Sequence, residues 1–319
     1  MPVVNVASVP QLSPFRYPGG KTWFVPRLRA WLKSQPNIPE VLVEPFAGGG
    51  IVSLTSVREN LTNTALMIEL DHEIAAVWQT LINGDAEWLA NRIVDFEMTK
   101  DNAILALQVE TDLIHEVAFQ TIIKNRTFHG GIIAGGSGFL NKGEAGKGVS
   151  SRWYPETLAK RIQAIIEIQN RLDFQQRDAF DVLDEFTNDE NAVFFIDPPY
   201  TAGGKNAGSR LYTHHRIDHD ELFASCSQLH GDVIMTYDNT PEVINLANRH
   251  GFDTRTIAMK NTHHAEINEV VIGRNLDWLD GVEAELRVLA NEKAQLAAAK
   301  KLRAENRASE QLQKTLALS

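Results

Sequence analysis

The chain is poor in cysteine: Cys226 is the only one in 319 residues. That excludes an intrachain disulfide and makes a thiolate-held metal cluster untenable. Apolar runs longer than a strand are also missing, and the N-terminus has no basic stretch leading into an apolar one. Neither a membrane span nor a signal peptide is therefore expected, and the protein is read as soluble and cytoplasmic. The chain has no G-x-G-x-x-G, and no Lys-Ser/Thr follows Gly50 as a phosphate-binding P-loop would require. The formal net charge of −10 argues against a polyanionic partner at first sight, but acid is absent where it would matter. Ser13 to Lys33 contains Arg16, Lys21, Arg27, Arg29 and Lys33 without a single acid, so a basic face remains open.

With 43% hydrophobic residues, the chain has ample core for one large domain or two. "EVLVEPFAGGG" reads as a strand running into a glycine turn, and "IVSLTSVREN" as the helix that follows. "TALMIELD" is a second strand and "HEIAAVWQTLI" its helix, a spacing that gives a parallel sheet with helical crossovers. The alternation resumes after residue 170 with "LDFQQ", "AVFFID", a helix opened by Asp218, "DVIMTY", the helical "PEVINLANRH", "TRTIAM" and "NEVVIGRN". Between these halves, helices are expected over Asp85 to Phe96, Ala103 to Lys124 and Pro155 to Arg171. Eight glycines crowd between Gly130 and Gly148, which indicates a mobile loop or hairpin. The reading is an α/β sheet domain formed by 13–83 and 170–275, an inserted, mainly helical region at 84–169, and a helical tail over 276–319. In the tail, Leu279, Val282, Leu286 and Leu289 have 3-4 spacing, but Lys293 and Lys300 interrupt the seam. A docked or solvated helix is favoured over a coiled-coil dimer, so monomer and tail-mediated dimer both stay open.

Two stretches carry chemistry. A strand, then "PFAGGG", then a helix is a ligand-binding βα turn, because the glycines admit close approach and a helix N-terminus offers unpaired N–H groups. Glu69 closes the next strand about 20 residues on, where a ribose diol would find two acceptor oxygens. In "NAVFFIDPPYT" an apolar strand ends on Asp197, Pro198, Pro199 and Tyr200. Paired prolines fix φ, remove two donors and hold the preceding residue extended, leaving a rigid corner that presents a carboxylate. An ordinary Asp-Pro turn is the bland alternative for this stretch alone.

In order, "SPFRYPGGK", "VEPFAGGG", "MIELD", "RDAF", "DPPY" and "VIMTYDNTPEV" resemble the motifs of N6-adenine-specific DNA methyltransferases of the DNA adenine methylase type, in the alpha-group order. The resemblance runs from about residue 13 to 275. It implies a Rossmann-like, S-adenosylmethionine-dependent methyltransferase sheet with a target-recognition domain at 84–169. S-adenosylmethionine would be the cofactor and double-stranded DNA the partner, in a restriction-modification, phage or epigenetic setting that can include a cognate restriction endonuclease. Tyr17 and Lys21 would lie beside the methionine part of the cofactor, Phe46, Ala47 and Gly48 would form its loop, Glu69 would bind its ribose, and Asp197 would also touch the cofactor. Asp178 would face the adenine amine, with Phe180 against the ring. Asp197, Pro198, Pro199 and Tyr200 would form the catalytic tetrapeptide: Asp197 and the Pro198 carbonyl accept the two N–H bonds of an amine, and Tyr200 stacks on a flipped base. No covalent intermediate is required, and Cys226 in "ELFASCSQL" reads as a packed residue.

Lys124, Asn125, Arg126, Lys142, Lys147 and Arg152 are the candidate DNA contacts. "KNRTFHGGIIAGGSGFLNKGEAGKG" keeps Asn125 and Arg126 but is longer and richer in glycine than the family's recognition hairpin, so the recognised sequence stays open. No metal is expected: His214, His215 and His219, or His263, His264 and Glu266, lack a zinc spacing. Asp238 and Asn239 are expected at a pocket wall, with a structural turn as the alternative. Other readings remain open: the N4 amine of cytosine, an RNA amine, or a DNA-recognition module that binds the cofactor without turnover.

Overall fold

The computed structural model describes residues 9–17, 20–143, 146–200, 216–260 and 266–292, with 295, 296, 299 and 303 in the tail. Among the described residues, seven strands form one sheet: β1 (Val41–Glu44), β2 (Thr64–Ile68), β3 (Leu172–Gln175), β4 (Ala192–Ile196), β5 (Asp232–Asp238), β6 (Asp253–Lys260) and β7 (Glu266–Gly273). Their order is β3-β2-β1-β4-β5-β7-β6. The first five are mutually parallel, and β7 enters antiparallel between β5 and β6. The chain builds outward from β1 through β2 to β3, then returns to β4 on the other side of β1. The carboxyl ends of β1 and β4 therefore flank a topological switch point, the place where open α/β sheets hold ligands.

Strand periodicity sorts the core into two layers. Leu42, Met67, Val193, Phe195 and Ile234 face one layer, while Val43, Leu66, Phe194, Ile196 and Met235 face the other. Helices α1 (Val25–Lys33), α2 (Ile51–Arg58) and α3 (His72–Ile82) cover the first face. Asp71 fixes the start of α3, its Oδ1 accepting from the Glu73 and Ile74 N–H groups.

The inserted region follows α3 and contributes α4 (Ala86–Asp95), α5 (Lys100–Gln108), α6 (Ile114–Thr127) and α7 (Pro155–Ile166). Its buried residues, among them Leu89, Phe119, Ile122, Leu158 and Ile162, belong to the same core cluster as α1 and α3. The helix expected over 103–124 is broken at 109–113. Thr111 Oγ1 accepts the Leu113 N–H, and Gln120 Nε2 donates to the Ala106 and Val109 carbonyls, so side chains satisfy the backbone that a continuous helix would have paired. The helix expected to reach Arg171 ends at Ile166 and is followed by a 3-10 turn at Gln169–Arg171. The glycine-rich segment opens as a hairpin, with an antiparallel bridge between Phe128 and Phe139 and their rings 5.1 Å apart.

On the second face lie α8 (Ala179–Glu185), α9 (His219–Gln228) and α10 (Pro241–Arg249). Asp218 caps α9 and Thr240 caps α10. Cys226 is fully buried and its thiol is pushed up to about 12 by burial, which suits a packed residue. No helix among the described residues is long and apolar enough to cross a membrane.

The C-terminal helix begins at residue 278 and docks on the first face through Leu279, Val282 and Leu286. Its anchor is electrostatic: Arg27, fully buried on α1, pairs with Glu283 at 2.6 Å. Glu283→Ala would strand that guanidinium and is expected to destabilise the protein by about 3 kcal/mol in denaturant unfolding. Glu285→Ala, on the exposed side of the same helix, should stay within about 0.5 kcal/mol. Equal effects would mean that the tail does not rest on this pair.

Candidate active site

At the switch point a cleft of about 1200 Å3, counting its open mouth, is lined by Tyr17, Lys21, Glu44, Phe46, Ala47, Glu69, Asp178, Phe180, Asp197 and Pro199, with others. Residues scattered over 180 positions thus meet because each follows a strand of the parallel set or the N-terminal segment laid across them.

The glycine turn after β1 is shaped for close approach. Gly48 has φ +46° and Gly50 φ +63°, values that L side chains rarely adopt. A Cβ on Gly48 would fall 2.6 Å from the Tyr17 ring, so glycine and ring are mutually fitted. Glu69 closes the far side of the turn. Its Oε2 accepts the Gly48 N–H at 3.1 Å and its Oε1 accepts the Leu70 and Asp71 N–H groups at 2.9 and 3.0 Å. Burial nevertheless outweighs these donors and raises its carboxyl to about 7. Asp178 caps α8 through the Phe180 N–H, which places an acceptor and an aromatic ring together at the cleft. A glycine cradle, a pinned carboxylate at the end of β2 and apolar walls from Phe46, Ile51, Ile74 and Phe180 suit a nucleoside with its ribose diol on Glu69. The donor set therefore fits S-adenosylmethionine: Glu69 would take the ribose, the 46–48 turn the middle of the cofactor, and Asp178 with Phe180 the base.

The corner after β4 is more tightly wired than its sequence suggests. Asp197 Oδ2 pairs with Lys21 Nζ at 2.8 Å. Its Oδ1 accepts from the Tyr200 hydroxyl and from Thr236 Oγ1, each at 2.8 Å. The Tyr200 hydroxyl also lies 3.2 Å from Glu269 Oε2. Lys21, expected beside the methionine end of the cofactor, lines the cleft and directs its ammonium at Asp197. Tyr200 was expected to stack on a base. Its ring instead stacks on Tyr237, 5.7 Å away and 19° from parallel, and is not among the cleft residues. Pro198 is buried, leaving Asp197 and Pro199 to face the cleft.

The expected DNA contacts divide into two groups. Asn125 is fully buried: its Oδ1 accepts the Arg16 N–H and its Nδ2 donates to the Arg16 and Gly131 carbonyls. Arg126 is 4% exposed and donates to the Pro14 carbonyl. Both are thus consumed in holding "SPFRY" against the cleft, a role that removes them from phosphate contact. Lys124 is ion-paired with Glu73. Lys142 and Lys147 are exposed, and Arg152 is half-buried at the end of the same segment.

Asp238 and Asn239 are not in the cleft lining; Asn239 bonds Thr256, and the turn leads into the Thr240 cap. Among the described residues no cluster of three or more His, Cys, Asp or Glu could hold a metal. His214, His215, His263 and His264 lie outside the described residues, as does the Glu266 side chain. His219 bonds the Tyr237 hydroxyl at 3.0 Å.

Residues 17–126 match the D12 class N6 adenine-specific DNA methyltransferase family. S-adenosylmethionine is the cofactor that this match implies. The matched span holds Tyr17, Lys21, the glycine turn and Glu69, and stops before the Asp197 corner. A comparison with curated protein sequences found no match. Among solved structures, a proposed RNA methyltransferase from Pyrococcus horikoshii is 13% identical, with 84% of this chain and 92% of that one covered and a TM-score of 0.37. A precorrin-6y C5,15-methyltransferase from Geobacter metallireducens is 10% identical, with 79% and 86% covered and a TM-score of 0.31. Likenesses of this size add nothing to the topology described above.

Three residues of the site were not singled out from sequence: Glu44, Thr236 and Glu269. Glu44 ends β1 as Glu69 follows β2, and that parallel was the available signal. Buried beside the cleft, Glu44 accepts from Ser53 N and Oγ, yet burial raises its carboxyl to about 8. An unfolded glutamate ionises near 4.5, so between that pH and about 8 the folded protein holds a proton that the unfolded chain has lost. Stability must fall as pH rises through this window. Glu44→Gln keeps the shape and has no proton to lose. Its stability advantage over the parent should grow from pH 5 to pH 8 and level off above, in thermal unfolding across pH. A constant difference would mean that Glu44 ionises normally.

Proposed function

We propose that the protein transfers a methyl group from S-adenosylmethionine to the N6 amine of adenine in duplex DNA, acting on a base drawn out of the stack. The observation that carries this reading is Asp197 in the lining of the cleft, followed by two prolines and ion-paired with Lys21 at 2.8 Å, beside a glycine turn that suits a nucleoside. When bound, S-adenosylmethionine supplies an electrophilic methyl group on a sulfonium. An exocyclic amine is a weak nucleophile because its lone pair is conjugated into the ring. Asp197 accepts one N–H and the Pro198 carbonyl the other, which turns the lone pair out of conjugation and toward the cofactor. Fixed acceptors need little reorganisation as charge develops on the nitrogen. Phe180 offers the apolar face and Asp178 the acceptor for the cofactor's own adenine. The N4 amine of cytosine presents the same pair of N–H bonds, so product analysis decides between the bases.

Tritium should pass from labelled cofactor to duplex DNA, and digestion should return N6-methyladenine. Asp197→Ala should lower transfer by at least about 100-fold at saturating cofactor, with the cofactor affinity measured separately by calorimetry because the Lys21 contact is lost. Retained transfer in that variant would remove Asp197 from the mechanism; label in cytosine or in structured RNA alone would change the substrate.

Duplex DNA is met by the exposed cations of the glycine-rich segment. Replacing Lys142 and Lys147 by alanine should weaken binding and flatten its logarithmic salt dependence by roughly one unit for each phosphate no longer neutralised. An unchanged slope would place the duplex on another face.

A further inference from the structure

Glu269 sits on β7, 5% exposed, with no role in the reading above. It lies opposite Asp238 in the β5–β7 ladder and opposite Ile257 on β6. A charged group this deep in a sheet needs a partner, and the one it meets is the Tyr200 hydroxyl at 3.2 Å, itself 2.8 Å from Asp197 Oδ1. Asp197 faces the cleft, whereas Tyr200, Thr236 and Glu269 are not in its lining. The hydroxyl thus lies between a carboxylate on the substrate side and a carboxyl on the far side. It carries one proton, so it can donate to only one of them at a time.

Resting on the methyl-transfer reading, we propose that Asp197, Tyr200 and Glu269 form a proton relay, in which Glu269 is the positioning residue that receives the proton leaving the methylated amine. Methylation of an NH2 nitrogen forms a C–N bond as the methyl–sulfur bond breaks, with that bond's electron pair staying on sulfur. The nitrogen is left with one proton too many. Asp197 takes this proton. It passes its O–H proton to the Tyr200 oxygen while the Tyr200 hydroxyl proton moves to Glu269 Oε2. Asp197 returns to carboxylate, Tyr200 is unchanged, and Glu269 ends neutral, to release its proton in a later step. The stacking of Tyr200 on Tyr237 acquires a purpose, because it keeps the hydroxyl between the two acids.

The surroundings of Glu269 suit an acceptor that works near neutrality. Burial raises its carboxyl to about 7; Lys21 opposes the shift, while Asp197 and Asp238 reinforce it. Only ionised Glu269 can accept a proton, so the rate of methyl transfer should rise with pH through about 7.

The test is single-turnover transfer to an unmethylated mixed-sequence plasmid across pH, with the full chain and with Glu269→Gln, which keeps the shape and the contact but cannot take a proton. Glu269→Gln should be slower by about tenfold above neutrality, lose the rise near pH 7 and bind cofactor as the parent does. Tyr200→Phe, which keeps the ring, should behave alike, and the double variant should be no worse than either single one. An unchanged rate and profile in Glu269→Gln, or a slower rate with the rise retained, would overturn the relay. A parent that methylates no DNA at all would instead overturn the substrate reading. In that event the relay is judged without turnover, by the carboxyl 13C signal of Glu269 in the cofactor-free protein. It should titrate near 7 and move in Asp197→Asn and Tyr200→Phe; a signal indifferent to both would end the proposal.

Discussion

The contact between Lys21 and Asp197, 2.8 Å long and nearly closed to solvent on the lysine side, is what the rest of the site depends on. Lys21 opens a 3-10 turn on the N-terminal segment, and Asp197 follows the central strand β4. Their meeting ties the segment that shapes the cofactor cleft to the corner proposed to hold the reacting amine. The same segment is gripped from the other side by the insertion: Asn125 takes Arg16, Arg126 takes Pro14, and Arg161 donates to the Ser13 carbonyl at 2.8 Å. The insertion and the sheet are therefore mechanically one unit, with a common core beneath them.

Charge in the cleft follows from the same arrangement. Glu44 and Glu269 both feel the Lys21 ammonium as a lowering influence and Asp197 as a raising one, and in both burial dominates. One cation thus faces three carboxyls, and burial keeps a proton on Glu44 past neutrality, whereas Glu269 gives its proton up near 7.

Much of this was legible in the chain. The runs around Val41 and Ala192 are strands because β-branched and aromatic residues fill both faces of a covered sheet, and Asp218 marked its helix through cap chemistry. The cleft residues Phe46, Ala47, Glu69, Asp178 and Asp197 were named from motifs that each follow a strand, and Tyr17 from the motif of the N-terminal segment. Contacts made across the fold were not legible. Asn125 and Arg126 look like surface polar residues until their partners, more than 100 positions away, are known to bury them. The break at 109–113 depends on Gln120 reaching back to carbonyls of the preceding helix. Glu269 acquires meaning only from the β5–β7 register and from the stacking that brings the Tyr200 hydroxyl to it.

Function here comes down to whether the Asp197 corner grips the amine of an adenine in duplex DNA. Sequencing with modified-base detection, on DNA from cells expressing the intact chain, tests this most directly because target atom and sequence context are read together. N6-methyladenine is expected at one recurrent sequence, and it should be absent from cells that carry the Asp197→Ala chain. Methylation confined to cytosine, or adenine methylation that persists in the Asp197→Ala cells, would contradict it.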